Sequence, residues 1–206
     1  MMKVRTPENA QLLFFPMKDC TVAAGYKNAA YKKAHGYVHY GVDFDSKRAV
    51  DFDVIASGSG TVLGVEKNHN SIGGVVVIKY PKVYNPTTGK THDLIARYYH
   101  LFSIAVKKGD KVEAYQKLGT VSGSHKWWNH VHLELDTDTE YPFNTPQVIE
   151  QSSDLLRRDG LSVFTLSRSI IDPITVLVKG KKQAAKVHSL ATEADEVHDA
   201  PRFEEL

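Results

Sequence analysis

His130-Val131-His132-Leu133-Glu134-Leu135 alternates polar and apolar residues without a fault. A period of two belongs to a β-strand, so Val131, Leu133 and Leu135 share one face and His130, His132 and Glu134 the other. Upstream, Leu118 to Val121 reads as a further short strand, and Lys108-Gly109-Asp110 turns into Val112. Leu94 to Leu101 has strand composition. Val75-Val76-Val77-Ile78-Lys79-Tyr80 is β-branched and apolar enough to be buried on both faces. Asn85-Pro86-Thr87-Thr88-Gly89 reads as a hairpin-like loop, and Ser57-Gly58-Ser59-Gly60 as a turn that runs into Thr61 to Val65. Val38 to Phe44 alternates again, with Tyr40, Val42 and Phe44 opposite His39, Gly41 and Asp43. Many short strands at this spacing predict a mainly β fold, as an antiparallel sheet, a sandwich or an open barrel.

The pattern changes after Asp136. Gln147 to Arg158 has helical composition, with Val148, Ile149, Leu155 and Leu156 as contacts and Gly160 as a stop. Residues 136–171 are therefore expected to contain a helix. Leu161 to Val178 reads as ordered, with a turn at Asp172-Pro173. The expected organisation is an N-terminal segment over 1–35 packing on a core domain over 36–178, then a charged tail over 179–206 that ends in Glu204-Glu205.

Composition narrows the function classes. The chain has 206 residues, 42% hydrophobic and 24% charged, which suits an ordered globular fold. Its 26 Lys and Arg against 24 Asp and Glu leave +2, too little to predict nucleic acid or an anionic membrane as a partner. The single Cys20 closes no internal disulfide and excludes zinc sites built from several thiolates. No apolar run approaches the ~20 residues of a membrane helix. Pro7, Glu8 and Asn9 stand where the apolar part of a leader should begin, and Leu12 to Met17 contains Pro16, so no export signal is expected. There is no Gly-rich phosphate loop. The ten histidines are the compositional oddity.

Three elements place His or Asp in patterns suited to a metal. His39 and Asp43 lie four apart, a separation of ~13 Å in a straight strand at ~3.3 Å per residue. Two ligands of one ion cannot stand that far apart, so Gly41 is predicted to mark a kink or bulge. Alternatively the two simply face water. His130 and His132 project from one strand face together with Glu134, as ligands or as part of a polar face. His100, in Tyr98-Tyr99-His100-Leu101, sits at a strand end.

The string His39-Tyr40-Gly41-Val42-Asp43-Phe44 resembles the motif of the lysostaphin-type, LytM-like zinc metallopeptidases, which are peptidoglycan endopeptidases. Asp53 to Val65 is similar to the turn and strand that follow it there. So are Tyr99-His100-Leu101, Val106 to Val112, Leu118-Gly119 and His130 to Glu134, in the same order over about residues 36–136. The resemblance implies the lysostaphin-type fold, a mainly β, open-barrel-like antiparallel core carrying the helix-containing insertion. It implies Zn2+ held by His39, Asp43 and His132, with His100 and His130 as unliganded catalytic histidines whose individual roles stay open. Glu134 would orient an imidazole or make a surface salt bridge. The substrate implied is peptidoglycan peptide, cut at the cell wall outside the cytoplasm. With no leader visible, the route there is a phage-type release, an export segment not present in the chain, or an unrecognised secretion path.

Asn129, Val131 and Tyr115 depart from the family pattern without touching an implied ligand. The Ser122 to Asn129 loop departs more. It carries His125, Lys126, Trp127 and Trp128. The loop borders the groove in that family, so the resemblance implies Trp127 or Trp128 as a groove residue, while adjacent aromatics point different ways and at least one of the two is expected to pack instead. His35, His69, His92, His188 and His198 match no motif.

Overall fold

The computed structural model describes residues 6–46, 51–69, 72–123, 129–147 and 153–180. Among these the strands are β1 (Leu13–Phe14), β2 (Thr21–Ala24), β3 (Val42–Asp45), β4 (Asp51–Ile55), β5 (Gly60–His69), β6 (Gly73–Asn85) and β7 (Lys90–Leu101). They continue with β8 (Ser103–Ile104), β9 (Lys111–Val112), β10 (Lys117–Ser122), β11 (His130–Asp136), β12 (Ile170–Ile171) and β13 (Leu177–Val178). Helices are short: α1 (Ala29–His35), α2 (Val163–Leu166) and a 3-10 turn over Pro173–Thr175.

The main sheet runs β2-β3-β11-β7-β6-β5-β9, antiparallel throughout, with β12 added beside β11. A second antiparallel sheet, β4-β10-β8, lies over it. The mainly β, antiparallel expectation is what the fold shows, and the sheets are not closed into a barrel. The strand patterns explain the layering. Val131, Leu133 and Leu135 of β11, with Val76, Ile78 and Tyr80 of β6, join Val54, Leu118 and Val121 of the second sheet in one buried core. Each such aliphatic side chain contributes about 1.5–3 kcal/mol relative to exposure. The alternate residues Val75, Val77, Ile95 and Tyr99 face the other way and pack against Leu156. The run Val75 to Tyr80 is thus buried on both faces, as its composition predicts.

Asn85 closes the β6–β7 hairpin. Its carbonyl accepts from Gly89 N at 2.9 Å and its side chain from Thr87 N at 2.9 Å, and Gly89 takes φ +69°. Inside the core, the Tyr98 hydroxyl bonds Tyr80 Oη at 2.8 Å and donates to Ser57 Oγ at 2.9 Å, so the polar tips of two buried tyrosines are satisfied while they tie the 57–60 turn to the sheet.

Three elements differ from the sequence reading. The strand expected over Val38 to Phe44 begins only at Val42, and His39 and Tyr40 precede it outside any strand, the His39 carbonyl accepting from Lys27 N and the Tyr40 N–H donating to Gln147 Oε1. Helix α1 has no apolar periodicity and was not foreseen. The helix expected over Gln147 to Arg158 is absent from residues 153–158, while 148–152 lie outside the described residues. Tertiary bonds override composition there. The Glu66 carboxylate accepts from Ser153 Oγ and from the backbone N–H of Asp154 and Leu155, and Arg157 bridges to Asn144. Among the described residues of 136–171 the helix is α2, capped by Ser162, whose side chain accepts from Thr165 N.

Candidate metal centre

The face of the main sheet turned away from the large core carries the site. Register does the first part of the work: His132 of β11 is the direct cross-strand partner of Asp43 in β3, so their side chains rise side by side. His39 arrives from the segment before β3. Gly41 makes the approach possible, since a Cβ there would stand 2.5 Å from His132 Cε1 and 2.6 Å from the Leu133 carbonyl oxygen. The bend predicted at Gly41 is present, and its cause is close packing against the opposite strand.

Three donor atoms converge. His39 Nε2 lies 3.0 Å from Asp43 Oδ1 and 2.9 Å from His132 Nδ1, and His132 Nδ1 lies 2.8 Å from Asp43 Oδ1. All three residues are buried. The donor set fits a cation, and the tautomer of His39 is the reason. His39 Nδ1 donates to the Gly25 carbonyl at 2.8 Å, which in the neutral ring leaves Nε2 a bare lone pair. That lone pair faces a carboxylate oxygen. A proton on His132 Nδ1 would satisfy its own contacts and still leave His39 and Asp43 opposed, whereas a cation satisfies all three. The nearly equal edges approach the ~3.3 Å edge of a tetrahedron with bonds of ~2.0–2.1 Å, the geometry of zinc with N and O ligands.

Electrostatics agree with two imidazoles and one carboxylate. Burial alone would raise the Asp43 carboxyl, but contacts with His132 and His39 outweigh it and hold the group well below the usual carboxylate range. Burial lowers His132, although Asp43 pulls it back up. Tyr31 of α1 stacks on the His39 ring with centroids 4.3 Å apart and planes at 23°.

His100 and His130 stand beside the trio. His130 Nε2 lies 3.6 Å from Asp43 Oδ1, and the His100 and His130 rings are 4.9 Å apart. His100 reaches this face through a break in alternation. Tyr98 and Leu101 belong to the large core and Tyr99 to the other face, so strict alternation would turn His100 into the core. A bulge in the β6–β7 pairing between Gly74 and Val76, with His100 at φ +70°, puts it on the site face. The left-handed backbone costs of order 1 kcal/mol or more. It is held by His100 N and Nδ1, both donating to the Ile72 carbonyl, at 3.1 and 2.9 Å. Burial, then the charges of His130 and His132, push His100 well below the usual imidazole value, and burial lowers His130 against the pull of Asp43.

Glu134 requires a correction. It is fully buried, so it makes no surface salt bridge, and its hydrogen-bond partners are Tyr99 Oη at 2.8 Å and Thr145 Oγ1 at 2.7 Å, not an imidazole. Arg97 Nη1 lies 3.5 Å from it as an ion-pair contact without a hydrogen bond. Its link to the site is indirect, through the Tyr99 ring, which packs edge-on against His132 at 5.0 Å. Trp127 and Trp128 lie outside the described residues. Sequence reasoning missed Tyr31, Tyr99, and the carbonyls of Gly25 and Ile72. Of these, the adjacent Tyr98-Tyr99 pair before His100 was the only available signal.

Two expectations follow. Gly41→Ala keeps all three donor residues in the sequence yet should lower metal affinity by at least about tenfold, because the added methyl would displace the His132 ring; unchanged affinity in a metal competition assay would refute the packing role. The zinc-free protein should also lose stability as pH falls from about 7 to 5. His100, His130 and His132 have depressed folded values, so over that window the unfolded chain binds the extra protons and acid favours unfolding. Glu134, raised chiefly by burial, runs the other way, one group against three. A urea midpoint that is no lower at the acid end would contradict this.

Comparison with known proteins sets the site in context. Residues 37–144 match the model of peptidase family M23. Stage II sporulation protein Q of Bacillus subtilis is 35% identical over 102 residues, 48% of this chain and 32% of that protein. Peptidoglycan DD-endopeptidase ShyA of Vibrio cholerae is 34% identical over 98 residues, 47% of this chain and 20% of that protein. The chain spans a third or less of the length of these curated relatives. A chain in the solved SpoIIQ-SpoIIIAH pore forming complex shares the fold, with a TM-score of 0.55 at 21% identity, covering 86% of this chain and 98% of that one. Because the family match takes in more than half of the residues, including both strands that carry the converging donors, this chain belongs to peptidase family M23.

Proposed function

We propose that the chain is a zinc-dependent endopeptidase that hydrolyses peptide bonds in bacterial cell-wall peptidoglycan, acting at the wall outside the cytoplasm. The observation that carries this reading is the meeting of His39 Nε2, Asp43 Oδ1 and His132 Nδ1 within 3.0 Å of one another, with the neutral His39 ring presenting its Nε2 lone pair to the carboxylate, an arrangement that suits a shared cation. Held by these three, zinc would polarise the scissile carbonyl and bring the pKa of a bound water toward ~7. Three protein ligands leave a position open, unlike a closed structural site.

His100 and His130 handle protons. His100 donates Nδ1–H to Ile72, so in the neutral ring its Nε2 carries the lone pair that would accept a proton from water and return it to the leaving amine. Burial keeps both rings neutral at rest, and the neutral ring is the form a base needs. The likeness to ShyA, named as a peptidoglycan endopeptidase, supports the substrate class. The likeness to a chain of a pore forming complex supports a second reading, a non-catalytic module that binds a protein partner.

Digestion of purified cell walls separates the two. The wild type should release fragments whose masses identify the bond cut. His100→Ala and His130→Ala should each retain zinc but slow release by about 10²–10⁴-fold. Walls left intact by the zinc-loaded wild type would favour the binding module.

A further inference from the structure

Helix α1 is out of keeping with the rest of the fold. It has seven residues, none of them fully buried, and the side chain it sets against the site is Tyr31, which stacks on His39 while the His35 ring packs on Tyr31 from the next turn. Short helices in water owe their stability mainly to burying a face, and this one buries none. Asn28 caps its start by accepting from Tyr31 N at 2.8 Å, and Gly36 ends it at φ +83°. The chain therefore spends two caps on holding an exposed turn of helix against the site.

The charge on it is of one sign. Between Asp19 and Asp43 there is no Asp or Glu, while Lys27, Lys32 and Lys33 all fall in that stretch, in a chain whose overall net charge is only +2. The three lysines and His35 are exposed, and no ion pair ties the lysines to an acidic group among the described residues. Lys32 and Lys33 in the last turn suit the helix dipole. Lys27 does not, since it precedes the positive end, where an acidic residue would be favoured. Yet Lys27 is fixed next to the site: its N–H donates to the His39 carbonyl at 2.7 Å, and its Nζ lies 5.0 Å over the Tyr26 ring.

We propose that Lys27 and helix α1 form a docking rim for a carboxylate-bearing peptide, holding an anionic substrate beside the metal centre. This rests on the endopeptidase reading and narrows it: acidic stem peptides suit the rim, and uncharged glycine bridges do not engage it. Lysines on an exposed helix give each carboxylate a modest, salt-sensitive attraction.

The test is fluorescence anisotropy with zinc-loaded full-length chain and two labelled peptides, one rich in Asp and Glu and the other its Asn and Gln counterpart. The acidic peptide should bind about three- to tenfold more tightly at low salt, and the preference should vanish in K32E/K33E, whose zinc content stays that of the wild type. Equal binding of the two peptides by the wild type, or a preference that survives K32E/K33E, overturns the proposal. A duplex DNA oligonucleotide that outcompetes the acidic peptide also overturns it, in favour of a general polyanion surface. Wall hydrolysis measured on the same samples reports on the endopeptidase reading separately: cleavage without a preference for acidic peptide defeats the rim alone.

Discussion

His132→Ala should lower wall hydrolysis about a thousandfold or more, because the metal leaves with the imidazole. His132 supplies one of the three converging donors among the described residues, and its strand places it directly opposite a second, Asp43. With the ring gone, His39 and Asp43 remain as a two-donor site that cannot hold the ion against water. The surrounding sheet should survive, since Val131 and Leu133 on either side stay in the core. Far-ultraviolet circular dichroism should therefore match the wild type while activity vanishes. Hydrolysis by the variant within about tenfold of the wild type would remove His132 from the metal site.

Arg97→Ala should cost about 3–5 kcal/mol, the largest stability effect expected from one substitution here. Arg97 is fully buried and faces two buried carboxylates, with Nη2 at 2.7 Å from Asp136 Oδ2 and Nη1 at 3.5 Å from Glu134 Oε1. Burial would lower its pKa, but the two acids outweigh that and raise it. Its Nε and Nη2 also donate to the carbonyls of Pro142 and Asn144 at 2.9 and 2.6 Å, pinning the 142–147 segment to the sheet. Removal strands two charges and two carbonyls at once. For a chain of this size that is a melting temperature lower by about 10 °C. The deficit should shrink in acid, because Glu134, already raised by burial, becomes easier to protonate once the guanidinium no longer opposes the shift. A melting temperature within about 2 °C of the wild type would show that the network is not needed for stability.

How much of this was legible beforehand depended on whether the cause was local. The period of two in β11 survives folding intact, so both the core face of Val131, Leu133 and Leu135 and the site face of His132 could be read directly. Gly41 could be read as a bend from the separation of His39 and Asp43, but not that the His132 ring and the Leu133 carbonyl fill the space a side chain would need. The resemblance put His100 beside the trio, but the way it gets there was hidden, because a bulge opposite Gly74–Val76 shifts the alternation and nothing in Tyr98-Tyr99-His100 marks it. The Glu134 network was equally hidden: Arg97 lies 37 residues before Glu134, and Thr145 lies in a segment whose composition pointed to no partner. Composition misread residues 153–158 because the bonds that decide their shape come from Glu66, on a distant strand.

Zinc content of the dialysed full-length chain, measured alongside Asp43→Asn and His39→Ala, is the most direct check on the converging donors. About one zinc per wild-type chain, and far less than that in either variant, is the expected result. A folded wild type that takes up no zinc at micromolar free metal, or variants that hold it as well as the wild type, would contradict the metal centre and with it the endopeptidase reading.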